Sequence, residues 1–135
     1  KKDLPGFLAN RLQHALSREA FSMVDEGICT PEDIDKAVRF GFGFRYIAAG
    51  PAMQRDHAGL EIHAAGGTTI YPSLNNSGTI AKCLSERVES GKFGMKTGEG
   101  FYLWTAETIQ AERQRYQDAL REGLKIIQKE LPEIK

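Results

Sequence analysis

The sequence predicts an all-α fold, a bundle of about five helices. Apolar residues return at steps of three and four along most of the chain, which is the spacing of one helix face. Threonine and proline precede several of these stretches and glycine follows them, as is typical of helix starts and ends. No stretch shows the two-residue alternation of paired strands. With 135 residues, of which 41% are hydrophobic, the chain fits one domain that buries a core.

The first two helices have clear boundary signals. Apolar side chains recur in helical register over residues 8–24, and Gly27 is expected to end this helix because glycine adopts a positive φ at little cost. Thr30 then provides an N-cap, and Pro31 provides the first position of a second helix. The glycines of the 41–44 segment are expected to break that helix, and an irregular stretch should follow.

The middle of the chain predicts two further helices. A third helix is expected over residues 51–64, started by proline and closed by the glycines at 66–67. The short segment 70–74 has an ambiguous pattern. A fourth helix is expected over residues 76–88, with asparagine and serine as its cap.

A glycine-punctuated loop over residues 91–100 and an extended stretch over 101–104 precede the last helix. Thr105 should cap this helix, which reaches to about residue 131. Acids and bases alternate on its surface, so that pairs such as Glu122 with Lys125 are expected. The sequence leaves open whether the helix is only docked on the surface or takes part in dimerisation.

The charge balance excludes several classes of protein. Eighteen Lys and Arg residues balance eighteen Asp and Glu residues, which argues against nucleic-acid binding and against docking on an anionic membrane. No apolar run approaches the roughly 20 residues needed to span a bilayer. Cys29 and Cys83 lack metal-binding spacing and are expected to be reduced thiols in a cytoplasmic protein. The N-terminus has no apolar signal segment, and it is expected to be the middle of a longer gene product.

The common catalytic motifs are missing. The Gly41–Gly43 pair has no preceding strand and no third glycine, so it is not a dinucleotide-binding turn. The sequence also lacks a G-x-S-x-G elbow, an H-E-x-x-H metal helix and a Walker loop. His57 and His63 do not share a helix face and are not expected to hold a metal together. From its residues alone the chain is an all-α domain without a self-contained catalytic constellation.

Three stretches resemble one known family. Residues 2–12 read K-D-L-P-G-F-L-A-N-R-L, residues 26–37 read E-G-I-C-T-P-E-D-I-D-K-A, and residues 92–102 read K-F-G-M-K-T-G-E-G-F-Y. They are similar, in this order, to segments of the C-terminal domain of 3-hydroxyacyl-CoA dehydrogenases. The resemblance covers residues 2–104.

This resemblance implies a fold, an activity and partners. Residues 1–135 would form one helical domain like the C-terminal domain of 6-phosphogluconate dehydrogenase, with a core at 2–104 and a terminal helix at about 105–131. It would cover the substrate cleft and form a homodimer. A Rossmann domain that this chain lacks would bind NAD and supply a His-Glu pair and a serine. The reaction would oxidise a 3-hydroxyl to a 3-keto group in fatty acid metabolism, and the isolated domain is expected to be inactive.

The resemblance also selects two site residues. Asn10 matches the asparagine that the family's helical domain contributes to catalysis, where a neutral amide orients substrate or catalytic groups. The alternative is that Asn10 only caps or solvates the first helical turn. Lys96, together with Lys92, could form a basic edge near the cofactor or the CoA phosphates. The alternative for this loop is structural: its glycines would allow a reversal that lays the aromatic residues 101–104 on the bundle.

One departure from the family concerns the substrate. Many acyl-CoA members have a proline-rich stretch where this chain reads G-F-R-Y-I-A-A-G-P at residues 43–51. This is similar to branches that act on free hydroxy acids, such as L-gulonate dehydrogenase (lambda-crystallin-like) and carnitine dehydrogenase. Arg45 is a candidate to bind a substrate carboxylate, and the alternative is a surface arginine paired with an acid. A non-catalytic dimerisation module and a lens-type structural protein are the alternatives to an enzyme domain.

Overall fold

The computed structural model describes residues 5–130 and confirms the all-α fold. The described residues contain six α-helices and, apart from two isolated bridges, no strand pairing. The helices are α1 (Phe7–Asp25), α2 (Pro31–Lys36), α3 (Pro51–Ala58), α4 (Leu60–Ile70), α5 (Lys82–Glu89) and α6 (Ala106–Ile127).

The predicted boundary between α1 and α2 is confirmed. Gly27 has a φ of 70°, and the backbone N–H of Ile28 donates to the carbonyl of Met23 at 2.9 Å, which closes the end of α1. Thr30 Oγ1 accepts from the Asp33 N–H at 3.2 Å, and the Thr30 N–H donates to Asp33 Oδ2 at 3.0 Å. This reciprocal capping box begins α2 at Pro31, as the sequence predicts.

The predicted break at residues 41–44 is wrong. The helical path of α2 continues as a π-helical segment (Ala37–Phe42) and then a 3-10 segment (Gly43–Ile47). The Gly43 N–H donates to the Val38 carbonyl. A β-carbon on Gly43 would lie only 2.5 Å from that carbonyl oxygen. Glycine at this position therefore permits a change of helical pitch instead of ending the helix.

The predicted third helix is divided into two. Gly59, with φ 96° and ψ 123°, separates α3 from α4, while the glycines at 66–67 lie inside α4. The ring of Tyr71 packs over Gly67, where a β-carbon would lie 3.1 Å from Tyr71 Cε2. Gly67, which was predicted to help end the helix, instead leaves space for the Tyr71 ring. The ambiguous segment that follows contains a 3-10 turn (Tyr71–Ser73).

The fourth helix begins later than predicted, at Lys82, and its N-cap residue Ala81 has no side-chain acceptor. Asp25 at the end of α1 replaces that acceptor. Its Oδ2 accepts from the Lys82 N–H at 2.6 Å, and its Oδ1 accepts from the Cys83 N–H at 2.7 Å. Residues 76–77 therefore do not cap this helix, and a long-range cap joins α1 to α5 instead.

The last helix, α6, begins as predicted with Thr105 as its N-cap, whose Oγ1 accepts from the Thr108 N–H at 3.2 Å. The predicted ion pair between Lys125 and Glu122 is confirmed at 2.6 Å. The helix ends at Ile127 and residues 128–130 form a turn, so the helix is shorter than predicted; residue 131 lies outside the described residues.

The helices are arranged openly. Among the described residues, Ala20 and Cys83 are the apolar residues that are buried. The chain exposes 11162 Å², whereas a compact monomer of 15.0 kDa exposes about 7,000 Å². The nine residues outside the described range would add at most about 1,500 Å² if fully extended, so they do not explain the excess. Residues 5–130 therefore do not form the large core expected from composition.

Candidate functional site

Asn10 lies in the first turns of α1, behind an unusual helix start. Gly6 has a φ of 79° and Phe7 a φ of 49°, so two consecutive residues adopt the left-handed region before the helix runs on. Phe7 carries a steric cost there that glycine does not. The N-cap residue of α1 is Gly6. Asn10 is therefore inside the helix and is not its cap, and its side chain is exposed.

The face of α1 that carries Asn10 continues along one side of the helix. His14, Ser17 and Phe21 follow Asn10 at steps of four, seven and eleven residues, and so they lie on the same stripe. His14 and Ser17 also line a groove of about 360 Å³ between α1 and residues 77–81.

A second cavity, of about 460 Å³, opens next to the start of the same helix. His14 lines it together with Arg11 and Arg18. Arg18 also fixes the neighbouring groove, since its Nη1 donates to the Ser77 carbonyl at 3.4 Å. Asn10 lines neither cavity, whereas His14 and Arg18 line both.

A packed cluster holds the opposite end of α1 in place. The ring of Phe101 stacks on Phe21 with centroids 5.1 Å apart, and the Arg87 guanidinium lies 4.4 Å above the Phe101 ring. Arg87 Nε donates to the Gly100 carbonyl at 3.0 Å, and Nη1 donates to the Cys83 carbonyl at 2.6 Å. This anchor cluster, formed by Phe21, Asp25, Cys83, Arg87 and Phe101, joins α1, α5 and the glycine loop.

The glycine loop that carries Lys96 is tightly folded. Gly94 and Gly98 have φ values of 78° and 81°, and a β-carbon on Gly100 would lie 2.7 Å from the Gly94 Cα. The Trp104 N–H closes the loop by donating to the Gly98 carbonyl at 2.8 Å. Each of these three positions thus requires glycine, either for its positive φ or for the space that a β-carbon would fill. The loop makes the reversal considered from the sequence.

The two lysines of this loop differ. Lys92 Nζ forms an ion pair with Glu99 at 2.6 Å, whereas Lys96 is exposed at the tip of the loop. The Lys92 charge considered for a basic edge is therefore paired within the loop. Among residues 5–130, none of the ion pairs involves Lys96.

Two titratable groups near this loop have shifted pKa values and structural roles. Burial and a hydrogen bond to Asp35 raise the pKa of Tyr102 to about 12, and its hydroxyl donates to Asp35 Oδ2 at 2.7 Å. Burial and the neighbouring Asp25 raise the pKa of Cys83 to about 11. Both groups stay protonated near neutral pH, so Cys83 is an unreactive thiol and Tyr102 is a fixed hydrogen-bond donor.

Arg45 lies in the 3-10 segment that follows the π-helical turn. Its Nη2 donates to the Gly41 carbonyl at 3.1 Å. The side chain lines a cavity of about 300 Å³ together with Gln54, Arg55 and His57 of α3. No Asp or Glu residue lines this cavity. The alternative of an arginine paired with an acid is not seen among residues 5–130, where none of the ion pairs involves Arg45.

Arg55 is the residue that sequence reasoning missed. In the predicted uninterrupted third helix, it occupied the polar side of an ordinary amphipathic pattern. Only the approach of α3 to residues 45–49 shows that it faces the same cavity as Arg45. A run of arginine, aspartate and histidine at residues 55–57 was the available signal, but it is too common on helix surfaces to indicate a site.

The three predicted site residues lie in separate elements. Asn10 is on α1, Arg45 is on the 3-10 segment, and Lys96 is at the loop tip. The cavity around Arg45 includes neither of the other two. Within residues 5–130 there is no group of three His, Cys, Asp or Glu side chains that could hold a metal, and no helix is long and apolar enough to cross a membrane.

Two sequence comparisons place the chain among dehydrogenases. The family model described as "3-hydroxyacyl-CoA dehydrogenase, C-terminal domain" matches residues 6–104. The 5-formyl-3-hydroxy-2-methylpyridine 4-carboxylate 5-dehydrogenase of Mesorhizobium japonicum is 40% identical over 124 residues, which are 90% of this chain and 40% of that protein. The mitochondrial hydroxyacyl-coenzyme A dehydrogenase of Homo sapiens is 36% identical over 105 residues, which are 76% of this chain and 32% of that protein.

A solved structure shows the same fold. The crystal structure of 5-formyl-3-hydroxy-2-methylpyridine 4-carboxylic acid 5-dehydrogenase, described as an NAD+ dependent dismutase, matches with a TM-score of 0.83 and 39% identity. The match covers 93% of this chain and 41% of that one, so the chain spans about two fifths of the length of these relatives. With 99 of its residues inside the family model, which runs from 6 to 104, this chain belongs to the 3-hydroxyacyl-CoA dehydrogenase family and carries its C-terminal domain.

Proposed function

We propose that this chain is the substrate-covering and dimer-forming domain of an NAD-dependent dehydrogenase that acts on a small free hydroxy acid. The match to the family over residues 6–104, which includes Asn10, supports the dehydrogenase. Arg45 in a cavity without acidic residues supports the free acid. One relative is named for a pyridine carboxylate, which is a small molecule with a free carboxylate.

Asn10 is proposed to be the catalytic residue of this domain. Its amide can donate and accept hydrogen bonds without changing charge near neutral pH. It can therefore hold a substrate oxygen or a neighbouring catalytic side chain in one orientation, whichever way protons move. The left-handed start at Gly6 and Phe7 fixes where α1 begins and, with it, the position of Asn10.

NAD is proposed to bind mainly to a Rossmann domain outside this chain. The described residues 5–130 contain no strand–glycine turn–helix unit to hold its pyrophosphate. When bound there, NAD would accept a hydride from the substrate carbon. Lys96 is proposed to lie at the edge that faces the cofactor, because its ammonium group is exposed at the tip of a rigid loop.

The uncovered apolar surface supports a homodimer. Leu8, Leu12 and Leu16 form a stripe on the side of α1 away from Asn10 and are 79%, 55% and 43% exposed. The chain exposes about 4,000 Å² more than a compact monomer of its mass, which is well above the roughly 1,600 Å² that a standard protein interface buries. A second copy and the Rossmann domain proposed for the full-length protein would cover this surface.

A 3-hydroxyacyl-CoA is the second candidate substrate. The match to the human hydroxyacyl-coenzyme A dehydrogenase favours it. The two candidates differ at Arg45, because a thioester has no charged carboxylate for a guanidinium group to bind at its acyl end.

The full-length protein should distinguish these candidates. We would measure NADH formation with 3-hydroxybutyryl-CoA and with free acids, including 3-hydroxybutyrate, L-carnitine and L-gulonate. A free acid should give the highest kcat/KM, and Asn10→Ala should lower kcat at least 100-fold. The control Gln13→Ala lies on α1 outside the Asn10 stripe and should keep full activity. No NADH formation with any substrate, or full activity of the Asn10 variant, would contradict the proposal.

A further inference from the structure

We propose that Arg55 joins Arg45 in a two-arginine clamp that binds the carboxylate of the substrate. This inference rests on the proposed function and names a second binding residue, on α3, for that function. His57 lies at the edge of the same cavity and can add a hydrogen bond.

The two arginines are held by separate, well-ordered segments. The carbonyl of Arg45 accepts from the N–H groups of Ala48 and Ala49 at 3.0 and 3.1 Å, which fixes the turn after the 3-10 segment. Gln54 Nε2 donates to the Ala49 carbonyl at 2.8 Å and ties α3 to that turn. Arg45 and Arg55 therefore line one cavity, and the Gln54 hydrogen bond joins the two segments that carry them.

The charges around the cavity are uncompensated. Six ion pairs lie elsewhere within residues 5–130, including Arg115 with Glu112 and Arg121 with Asp118, but none involves Arg45 or Arg55. Asp56 is next to Arg55 in sequence and does not line the cavity. Arg45 and Arg55 both line this space, so an anion bound there would be attracted by two positive charges. A carboxylate matches the fork of an arginine with two parallel hydrogen bonds.

The size of the cavity favours a small acid. Its volume of about 300 Å³ is at the lower limit of ligand pockets, so it can hold a carboxylate with a short carbon skeleton. The adenosine phosphates of CoA are much larger. They carry anionic groups too, however, and the experiment must therefore separate a carboxylate from a phosphate.

The test measures binding to the full-length protein by calorimetry. The probes are two pairs that differ only in charge: pyridine-4-carboxylate with pyridine-4-carboxamide, and 3-hydroxybutyrate with 3-hydroxybutyramide. At least one acid should bind tenfold or more tightly than its amide. Arg55→Gln and Arg45→Gln should each lower the affinity for that acid at least tenfold, and Arg55→Lys should lower it less. Arg113→Gln, on the exposed side of α6, is the matched control and should leave binding unchanged.

The outcomes separate this inference from the proposed function. Equal binding of acids and amides, wild-type binding by Arg55→Gln, or displacement of the acid by desulfo-CoA would overturn the clamp. If acids bind through both arginines but no substrate reduces NAD, then the clamp stands and the proposed function fails. If a free acid is oxidised with the same KM in wild type and in Arg55→Gln, then the proposed function stands and the clamp fails.

Discussion

The anchor cluster is packed by side chains from three segments, whereas the N-terminal half of α1 is exposed on both sides. In the anchor cluster, stacked rings, a guanidinium group and a long-range helix cap join three elements. The N-terminal half of α1 presents Asn10 on one side and an exposed leucine stripe on the other. The described residues thus form a packed scaffold at one end, while the end that bears the proposed catalytic residue is exposed.

The largest expected effect tests the scaffold. Phe101→Ala removes the ring between Phe21 and Arg87, and we expect it to lower the free energy of opening of α5 by about 2–3 kcal/mol, somewhat less than for a fully buried phenylalanine. Hydrogen exchange of the α5 amides in the full-length protein measures this free energy. Phe93→Ala is the control, because Phe93 is 55% exposed in the same loop and should cost less than 1 kcal/mol. Equal costs for both variants would show that the stack is not an anchor.

The second prediction tests the uncovered side of α1. Leu12→Asp places a charge in the leucine stripe, and we expect it to raise the dissociation constant of the proposed dimer at least 30-fold, since burying an unpaired charge costs about 2 kcal/mol or more. Analytical ultracentrifugation of the full-length protein measures this constant. Gln13→Asp adds the same charge beside the stripe and should have little effect. A dimer of unchanged affinity in Leu12→Asp would mean that this stripe is not the dimer interface.

The third prediction concerns the cap that joins α1 to α5. Asp25→Ala should lower the free energy of opening of α5 by about 1 kcal/mol at neutral pH, the usual cost of losing a cap acceptor. Burial raises the pKa of Asp25, but the N–H groups of Cys83 and Lys82 that bond to the carboxylate outweigh this and hold its pKa below the usual value.

The sign of the pH dependence follows from that lowered pKa. A depressed carboxyl pKa stabilises the folded state fully above the unfolded value of about 3.9, and the contribution is lost as the pH falls through the folded value. The difference between wild type and Asp25→Ala should therefore be constant above about pH 5 and decrease below pH 4. As a control, Asp56→Ala on the exposed side of α3 should leave the free energy of opening of α5 unchanged. A constant gap down to pH 2 would contradict the role of the carboxylate.

The features that could be predicted from sequence are the local ones. Thr30, Thr105 and Gly27 act on groups within four residues of themselves, so that their spacing alone defines the helix start or end. The family motifs are also local in sequence, and they locate Asn10 near the start of the domain. The comparisons confirm the family. Its role in catalysis stays a prediction.

The features that could not be predicted depend on distant neighbours. Asp25 caps a helix 57 residues away, and no pattern near either residue indicates this pairing. Gly43 and Gly67 look like helix breakers, but the atoms that crowd them decide their role. The role proposed for Arg55 also depends on a residue outside its own helix. Arg45 lines the same cavity but lies ten residues earlier, in the 3-10 segment that follows the change of helical pitch at Gly43.

The smallest predicted effect separates two adjacent glycines in α4 that look equivalent in sequence. A β-carbon at Gly66 meets nothing within 4 Å, so Gly66→Ala should stabilise α4 by about 0.5–1 kcal/mol through helix propensity. A β-carbon at Gly67 would lie 3.1 Å from the Tyr71 ring, whose hydroxyl is bonded to His63 Nε2 at 3.0 Å. Gly67→Ala should therefore displace that ring, and the cost of this displacement should offset the stability gained from helix propensity.

Hydrogen exchange of the α4 amides measures both variants, and the chemical shifts of His63 report whether its bond to Tyr71 persists. Tyr71→Phe in the Gly67→Ala background tests the cause, since a ring without the hydroxyl can move away without breaking a hydrogen bond. If both alanine variants stabilise α4 equally, then Tyr71 does not occupy the space over Gly67 in the assembled enzyme.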